Sequence, residues 1–239
     1  MAVPETEQNK PRIEAAFFDV DNTLVRGSTS ILFGKVAFSG GAISRRDIWR
    51  FAFEQMMFIR RGENNDKMAD FKDRALSLTK GHSVEELRGL IEKVYIEEIK
   101  PRLWPETVAA AKEHLAAGRE VWLLTAAPVE LAEAIAKDLG ATGALGTMVG
   151  HADGVLTGKL VGEPLHGKAK ARAAKQLAKD RGISLRRSYA YSDSANDLPL
   201  LSLVGNAVAV NPDTILKRHA EAAGWDIMRF KKRDLRRAN

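Results

Sequence analysis

Short apolar runs that stop at or near a polar residue recur along the chain and predict buried strands. Runs of this length, bounded by polar residues, are typical of strands in a parallel sheet. Four of them stand out: Ile13–Phe18, Glu120–Leu124, Ser188–Tyr191 and Ala207–Val210.

Helical patterns separate the later strands. Val129–Leu139 is followed by Gly140, and Lys168–Asp180 is followed closely by Gly182, and glycine is common just beyond a helix end. Strands that alternate with helices predict an α/β fold with a Rossmann-like parallel sheet. Because ligands of such sheets bind beyond the carboxyl ends of the strands, the chemistry is expected at the polar residues that follow them.

Residues 28–104 show no strand pattern and are too long for a loop, so they predict an inserted helical cap over the strand ends. Its helical patterns cover Arg45–Arg60, Asn65–Thr79 and Val84–Glu98. The predicted organisation is a core of residues 13–27 and 105–230, a cap of residues 28–104, and flexible tails at residues 1–12 and 231–239. A β-hairpin is predicted within Ala144–Leu165, around the turn pair Asp153-Gly154.

The composition is that of a soluble globular protein, since 45% of the 239 residues are hydrophobic and 28% are charged. The chain has no cysteine, which excludes disulfides, thiolate catalysis and cysteine-ligated metals. No apolar run approaches the roughly 20 residues that span a bilayer, so a cytoplasmic location is expected. Much of the net charge of +6 lies between Arg229 and Asn239, which hold six basic residues and one acid. Such a tail is more often a solvated end than a binding site.

The first chemical signal is the stretch Phe17-Phe18-Asp19-Val20-Asp21-Asn22-Thr23. An apolar strand here delivers two carboxylates, two residues apart, and a hydroxyl. Buried like charges repel each other, so the pair needs a cation or a shared proton. Mg²⁺ is the natural cation for oxygen ligands, and it is the predicted cofactor.

A second acidic block follows a later strand, where Tyr191-Ser192-Asp193-Ser194-Ala195-Asn196-Asp197 supplies two more carboxylates. Asp197 has an ordinary alternative explanation as a helix cap ahead of Pro199. Together, the acids at two strand ends predict a metal site.

A hydroxyl and a lysine complete the candidate site. Thr125 ends a strand just before a helix, where free backbone amides such as that of Ala126 bind phosphate, although a threonine there is also a common helix cap. Lys168 lies at the start of a helix, where a cation is unfavourable unless an anion is bound nearby. The alternative for Lys168 is a solvated side chain.

In this order and spacing, the four blocks resemble the four motifs of the haloacid dehalogenase superfamily. The closest resemblance is to its phosphoserine-phosphatase-like branch, in which a helical cap follows the first motif. It covers Ile13 to about Val210 and implies a phosphatase that acts on a small-molecule phosphate monoester. In that family the first aspartate, here Asp19, is the nucleophile, and the second, here Asp21, is the general acid and base.

The resemblance also implies the remaining roles. Phosphate would be bound by Thr125, Ala126 and Lys168. Mg²⁺ would be held by Asp19, the carbonyl of Asp21, and Asp193. The supporting residues would be Asp197, Asn196 and Thr23.

The sequence leaves the substrate open. Phosphoserine phosphatases usually have a glutamate seven residues after the second aspartate, where this chain has Ser28, and two glycines where it has Ala126 and Ala127. A glycerol or lysophospholipid phosphate is the alternative substrate class, and a phosphomutase would use the same core. The apolar and basic stretch Ile48–Arg61 is either buried in a bundle or in weak contact with an anionic membrane.

A non-catalytic RNA- or membrane-binding module that works through the basic tail is the alternative from a different class. This alternative does not explain the acids at the ends of two predicted strands, because acids repel phosphate. No nucleic-acid partner is therefore expected.

Overall fold

The computed structural model describes residues 13–39 and 80–231. Its seven strands are β1 (Ala15–Asp19), β2 (Glu120–Pro128), β3 (Gly143–Ala152), β4 (Val155–Val161), β5 (Tyr189–Ser192), β6 (Asn206–Val210) and β7 (Asp226–Met228). The α-helices are α1 (Thr29–Ser39), α2 (Val84–Val94), α3 (Pro105–Ala116), α4 (Val129–Leu139), α5 (Lys168–Arg181), α6 (Leu198–Leu201) and α7 (Thr214–Ala223). A π-helical turn (Tyr95–Ile99) and 3₁₀ turns (Lys100–Arg102, Leu185–Arg187, Ala195–Asp197) complete the regular structure.

The strands form one sheet in the order β4-β3-β2-β1-β5-β6-β7. All neighbouring pairs are parallel except β3 and β4, which are antiparallel. All five residues of β1 are buried, as expected for the central strand of a parallel sheet covered on both faces. The prediction of an α/β fold with a Rossmann-like parallel sheet is confirmed.

The two faces of the sheet carry separate hydrophobic clusters because side chains alternate along a strand. On β1, Ala16 and Phe18 belong to one cluster, whereas Ala15 and Phe17 belong to the other. Helix α4 contributes Leu131 and Ile135 to the first cluster. Burial of these apolar side chains stabilises the fold by about 1.5–3 kcal/mol for each large residue.

The four predicted strands and the predicted hairpin are present. The hairpin turn uses Asp153 and Gly154, whose φ angles of 49° and 75° are the left-handed values of a favoured two-residue turn. Strand β7 and helices α3 and α7 were not predicted. Strand β7 has only three residues, too few to show a period.

Two described helices, α1 and α2, lie between β1 and α3. Helix α1 was not predicted, and the patterns Arg45–Arg60 and Asn65–Thr79 lie outside the described residues. The predicted helix Val84–Glu98 is observed as α2 and its π-helical continuation, and it begins at a capping box between Ser83 and Glu86. The domain boundaries remain a prediction.

The hairpin β3–β4 is bonded to the chain just before α2. The amide of Gly81 donates to the carbonyl of Leu156 at 3.1 Å, and the amide of Leu156 donates to the carbonyl of His82 at 2.9 Å. Among the described helices, none has both the length and the apolarity to cross a membrane.

Candidate active site

The candidate site lies at the carboxyl ends of β1, β2 and β5. Strand β1 is flanked by β2 and β5, with Asp19 in register with Leu124 and Phe18 in register with Tyr191. The residues that follow on the neighbouring strands are Thr125 and Ser192. Three separate stretches of chain therefore meet at one edge of the sheet, as the parallel topology requires.

Asp19 is held by two side-chain donors. Its exposed fraction is only 6%. The hydroxyl of Thr23 donates to Asp19 Oδ2 at 2.9 Å, and the ammonium of Lys170 donates to Asp19 Oδ1. Burial raises the pKa of Asp19 to about 6, against the attraction of Lys170, which lowers it. The carboxylate is therefore fixed in orientation and largely removed from water.

Asp21 is fixed by the start of helix α1. The backbone amide of Thr29 donates to Asp21 Oδ1 at 2.9 Å, and the Thr29 hydroxyl donates to the same oxygen at 2.6 Å. Among the described residues no hydrogen bond reaches Asp21 Oδ2, which leaves that oxygen available to exchange a proton.

Asp197 is bound from two sides. The ammonium of Lys170 donates to Asp197 Oδ2 at 2.7 Å, and the Ser192 hydroxyl donates to the same oxygen at 2.8 Å. Lys170 therefore bridges the carboxylates of Asp19 and Asp197. Burial acts to lower the pKa of Lys170, but the two carboxylates outweigh it and hold that pKa above its ordinary value.

Asp193 carries the least compensated charge of the site. Burial raises its pKa to about 8, and repulsion from Asp19 and then from Asp197 adds to this effect. Asp193 thus lies close enough to Asp19 for their charges to interact. A cation between them would relieve the repulsion.

The structure places Lys168 and Lys170 on opposite sides of helix α5. The side chain of Lys168 is exposed, whereas Lys170 is 3% exposed and lies between the two aspartates. Lys168, which was predicted to bind phosphate, thus has an exposed side chain, and Lys170 is the lysine that the structure brings to Asp19 and Asp197. The reason is helical geometry, because residues two apart point in widely different directions.

A signal in the sequence could have found Lys170. On a helix it shares a face with Ala174 and Ala178, both of which are buried. Lys168 instead shares a face with other basic residues, all exposed: Arg172, Lys175 and Lys179. A lysine on the apolar stripe of a helix is the one expected to point inward.

Thr125 and Ala126 lie within β2, which continues to Pro128 beyond its predicted end at Leu124. Thr125 is buried, and its hydroxyl accepts a hydrogen bond from the amide of Ala127 at 3.0 Å. Ala126 is exposed, and its carbonyl accepts from the Thr147 hydroxyl at 2.8 Å. The Thr125 hydroxyl therefore lies near the start of α4, a place that suits phosphate.

Asn196 is exposed, and its backbone carbonyl lies beside Gly167, which precedes α5. Gly167, with φ of 51°, lies so close that a Cβ there would be 3.3 Å from the carbonyl of Asn196. The sequence did not identify three further residues with bonds to the acids: Thr29, Lys170 and Ser192.

The described acids do not form a cage of side chains for a metal. Within residues 13–39 and 80–231, no group of three or more histidine, aspartate or glutamate side chains is arranged to hold an ion. The available donors are nevertheless all oxygens, and Asp19 and Asp193 repel each other. This donor set fits Mg²⁺, which commonly takes one or two carboxylates and completes its shell with water and substrate oxygens.

Comparisons with known proteins define the class. The model of the haloacid dehalogenase-like hydrolases matches residues 16–202, so the chain belongs to this family. The predictions of this family and of a phosphoric monoester hydrolase are confirmed.

Two similar proteins are named as phosphatases. Phosphoserine phosphatase SerB1 of Mycobacterium tuberculosis is 48% identical over 91% of this chain and 71% of its own length. A histidinol-phosphatase of Neisseria meningitidis is 31% identical over 90% of this chain and 98% of its own. A crystal structure of a protein of unknown function from Bordetella pertussis superposes with a TM-score of 0.81 at 30% identity, covering 90% of this chain and 98% of that one.

Proposed function

We propose that this chain is a Mg²⁺-dependent phosphatase that transfers the phosphoryl group of a small monoester to Asp19 and then to water. The observation that carries the proposal is the environment of Asp19. A buried carboxylate oriented by Thr23 and Lys170, with a second acid two residues away, is suited to nucleophilic attack on phosphorus.

In the first step a carboxylate oxygen of Asp19 forms a bond to phosphorus, and the bond from phosphorus to the ester oxygen breaks. Asp21, protonated on its carboxyl group, gives its proton to the leaving oxygen. The Thr29 bonds to Asp21 Oδ1 hold the acid so that Oδ2 faces this exchange.

In the second step Asp21 removes a proton from water, and the water oxygen bonds to phosphorus. The bond from phosphorus to Asp19 breaks, which releases inorganic phosphate and restores the carboxylate. Lys170 bridges Asp19 and Asp197 and offsets negative charge through both steps. We assign to Lys170 the phosphate-binding role that the sequence predicted for Lys168. Thr125 and the Ala126 amide would be the other phosphate contacts.

Mg²⁺ would be held by Asp19, the Asp21 carbonyl and Asp193, with Asp197, Asn196 and Thr23 in support, and it would neutralise charge on the phosphoryl oxygens. Its fit rests on the oxygen donors and on the repulsion between Asp19 and Asp193.

Phosphoserine is the first substrate to test because the relative at 48% identity bears that name. Histidinol phosphate is the second, from the relative at 31% identity. Ser28 is half-buried at the start of α1, where the resemblance would expect a glutamate for the substrate amine, so a glycerol or lysophospholipid phosphate belongs in the same panel. A cytoplasmic location remains a prediction.

The test is phosphate release from this panel with Mg²⁺ present or chelated, beside Asp19→Asn. The wild type should release phosphate only with the metal, and acid-quenched protein should carry a phosphoryl group that Asp19→Asn lacks, seen by intact mass spectrometry. Release at the wild-type rate from Asp19→Asn would overturn the nucleophile assignment.

A further inference from the structure

The Asp213 carboxylate forms hydrogen bonds with two separate elements, the start of helix α7 and the loop that carries Asp193. Its Oδ1 accepts hydrogen bonds from the amides of Ile215 at 2.9 Å and Leu216 at 2.7 Å, which caps helix α7. Its Oδ2 accepts from the amide of Ala195 at 2.7 Å. One carboxylate therefore ties the start of α7 to the loop that carries Asp193.

The backbone of Asp213 binds the same loop a second time. Its amide donates to the carbonyl of Asp193 at 2.8 Å. The two bonds to the loop both lie just after the Cα atom of Asp193, one at its own carbonyl and one two residues later at the amide of Ala195. The backbone that follows the Asp193 side chain is thus held at two points.

A left-handed turn brings Asp213 to this place. Asn211, at the end of β6, has φ of 44°, a conformation that asparagine tolerates better than most residues. Its amide donates to the carbonyl of Met228 at 2.9 Å, and its Oδ1 accepts from the amide of Phe230 at 2.8 Å. The turn and its bonds to the segment after β7 direct the chain back toward Asp193.

The bond from the Ala195 amide ends on a carboxylate oxygen, and hydrogen bonds to a charged acceptor are roughly twice as strong as neutral ones. The side chain of Asp213 therefore restrains the loop more firmly than its backbone amide does.

We propose that Asp213 is a positioning residue that holds Asp193 in place for Mg²⁺ through its bonds to Ala195 and to the Asp193 carbonyl. The inference rests on the proposed role of Asp193 as a metal ligand. Residues that position a metal ligand without touching the metal commonly change metal affinity by 10- to 100-fold when they are removed.

Two variants break the same bond from opposite ends. Asp213→Ser keeps a cap for α7, because a serine hydroxyl accepts from the same amides, but it has no second oxygen for Ala195. Ala195→Pro removes the donor and leaves Asp213 untouched. Proline suits this position because Ala195 opens a 3₁₀ turn and Ser194 before it is extended, at φ −117° and ψ 139°. The matched control is Ala195→Ser, which keeps the amide.

The experiment measures Mn²⁺ binding to metal-free protein by electron paramagnetic resonance, with Mg²⁺ as competitor. The apparent dissociation constant should rise about tenfold in Asp213→Ser and in Ala195→Pro. The double variant should be no weaker than either one, because a single bond is being removed. Ala195→Ser should bind as the wild type does.

Separate readouts distinguish positioning from folding. Thermal denaturation of the metal-free variants reports the loss of structure, and kcat at saturating Mg²⁺ should stay within about threefold of wild type. An unchanged dissociation constant, whatever the melting temperature, or fully additive losses in the double variant would overturn the inference. If the wild type itself binds neither ion at this site, the proposed metal role fails, and the inference fails with it.

Discussion

The two acidic loops of the site are held in place in different ways. In the first loop, residues 19–29, each acid accepts a hydrogen bond from a threonine of the same loop, Asp19 from Thr23 and Asp21 from Thr29, and Lys170 adds one distant bond to Asp19. In the second loop, residues 192–197, Ser192 binds Asp197 from within, but two distant residues bind the loop as well, Lys170 at Asp197 and Asp213 at the amide of Ala195. The second loop therefore depends more on other elements of the fold than the first loop does.

This difference predicts which substitutions disturb one loop and which disturb both. A change within the first loop should alter the group that it touches and little else. A change at Lys170 should disturb both loops, since its ammonium binds one acid in each.

The largest effect is expected for Lys170→Met. Loss of the buried cation leaves Asp19 and Asp197 uncompensated, so the free energy of unfolding should fall by about 3–5 kcal/mol. Phosphate release should fall by about 10²- to 10³-fold, as when one charge-stabilising donor is lost. Denaturant unfolding and steady-state assays measure the two effects.

The control for this change is Lys168→Met, two residues away on the exposed side of α5. It should keep wild-type stability and activity within about twofold, because the surface charge it removes contributes little. Equal losses in the two variants would contradict the assignment of Lys170.

A smaller effect is expected for Thr29→Val in the first loop. The substitution removes the 2.6 Å hydroxyl bond to Asp21 and keeps the 2.9 Å amide bond. The kcat should fall about tenfold, a part of the 10²- to 10⁴-fold that a positioned acid and base supplies, while stability falls by only about 1 kcal/mol.

Thr29→Ser keeps the hydroxyl and should restore most of the activity. If Thr29→Val instead unfolds the protein as readily as Lys170→Met, the first loop is not the self-contained element that its bonds suggest.

An effect confined to acid pH is expected for His114, which contacts the residues that lead into both loops. Its Nε2 lies 2.9 Å from the Tyr191 hydroxyl, and Tyr191 stacks on Phe18 at 4.2 Å between ring centroids. Phe18 precedes Asp19, and Tyr191 precedes Ser192. Burial, with a contribution from Arg119, lowers the pKa of His114 to about 4 from its ordinary 6.5.

The unfolded chain therefore takes up a proton at His114 before the folded protein does. Its contribution to stability is present above pH 6.5 and is lost as the pH falls toward 4, by at most about 3 kcal/mol. His114→Gln should flatten this part of the curve of unfolding free energy against pH. A wild-type curve no steeper than that of the variant between pH 6.5 and 4 would show that His114 is not held neutral.

The contrast between the loops also explains what could be predicted from the sequence. The acids of the first loop follow an apolar strand directly, so their position is visible in a few adjacent residues. The bond from Lys170 to Asp197 requires a folded sheet to bring α5 beside β5. The position of Lys168 at the helix start favours it as a phosphate ligand, whereas the buried stripe through Ala174 and Ala178 favours Lys170.

Elements without a clear period were also missed. Helix α1 is apolar on most sides, so it shows no amphipathic stripe. Strand β7 is fixed by pairing with β6 rather than by its own three residues. In both cases tertiary contacts decide a structure that local pattern leaves open.

The left-handed turn at Asn211 has a consequence for biosynthesis. Its two bonds come from Met228 and Phe230, so a ribosome must translate that far before the turn acquires its partners. A nascent chain in which β1 and β5 are already synthesised still lacks these two bonds, and with them part of the support for the loop of Asp193. Competence to capture the ion should therefore arise only after the chain has been synthesised as far as Phe230.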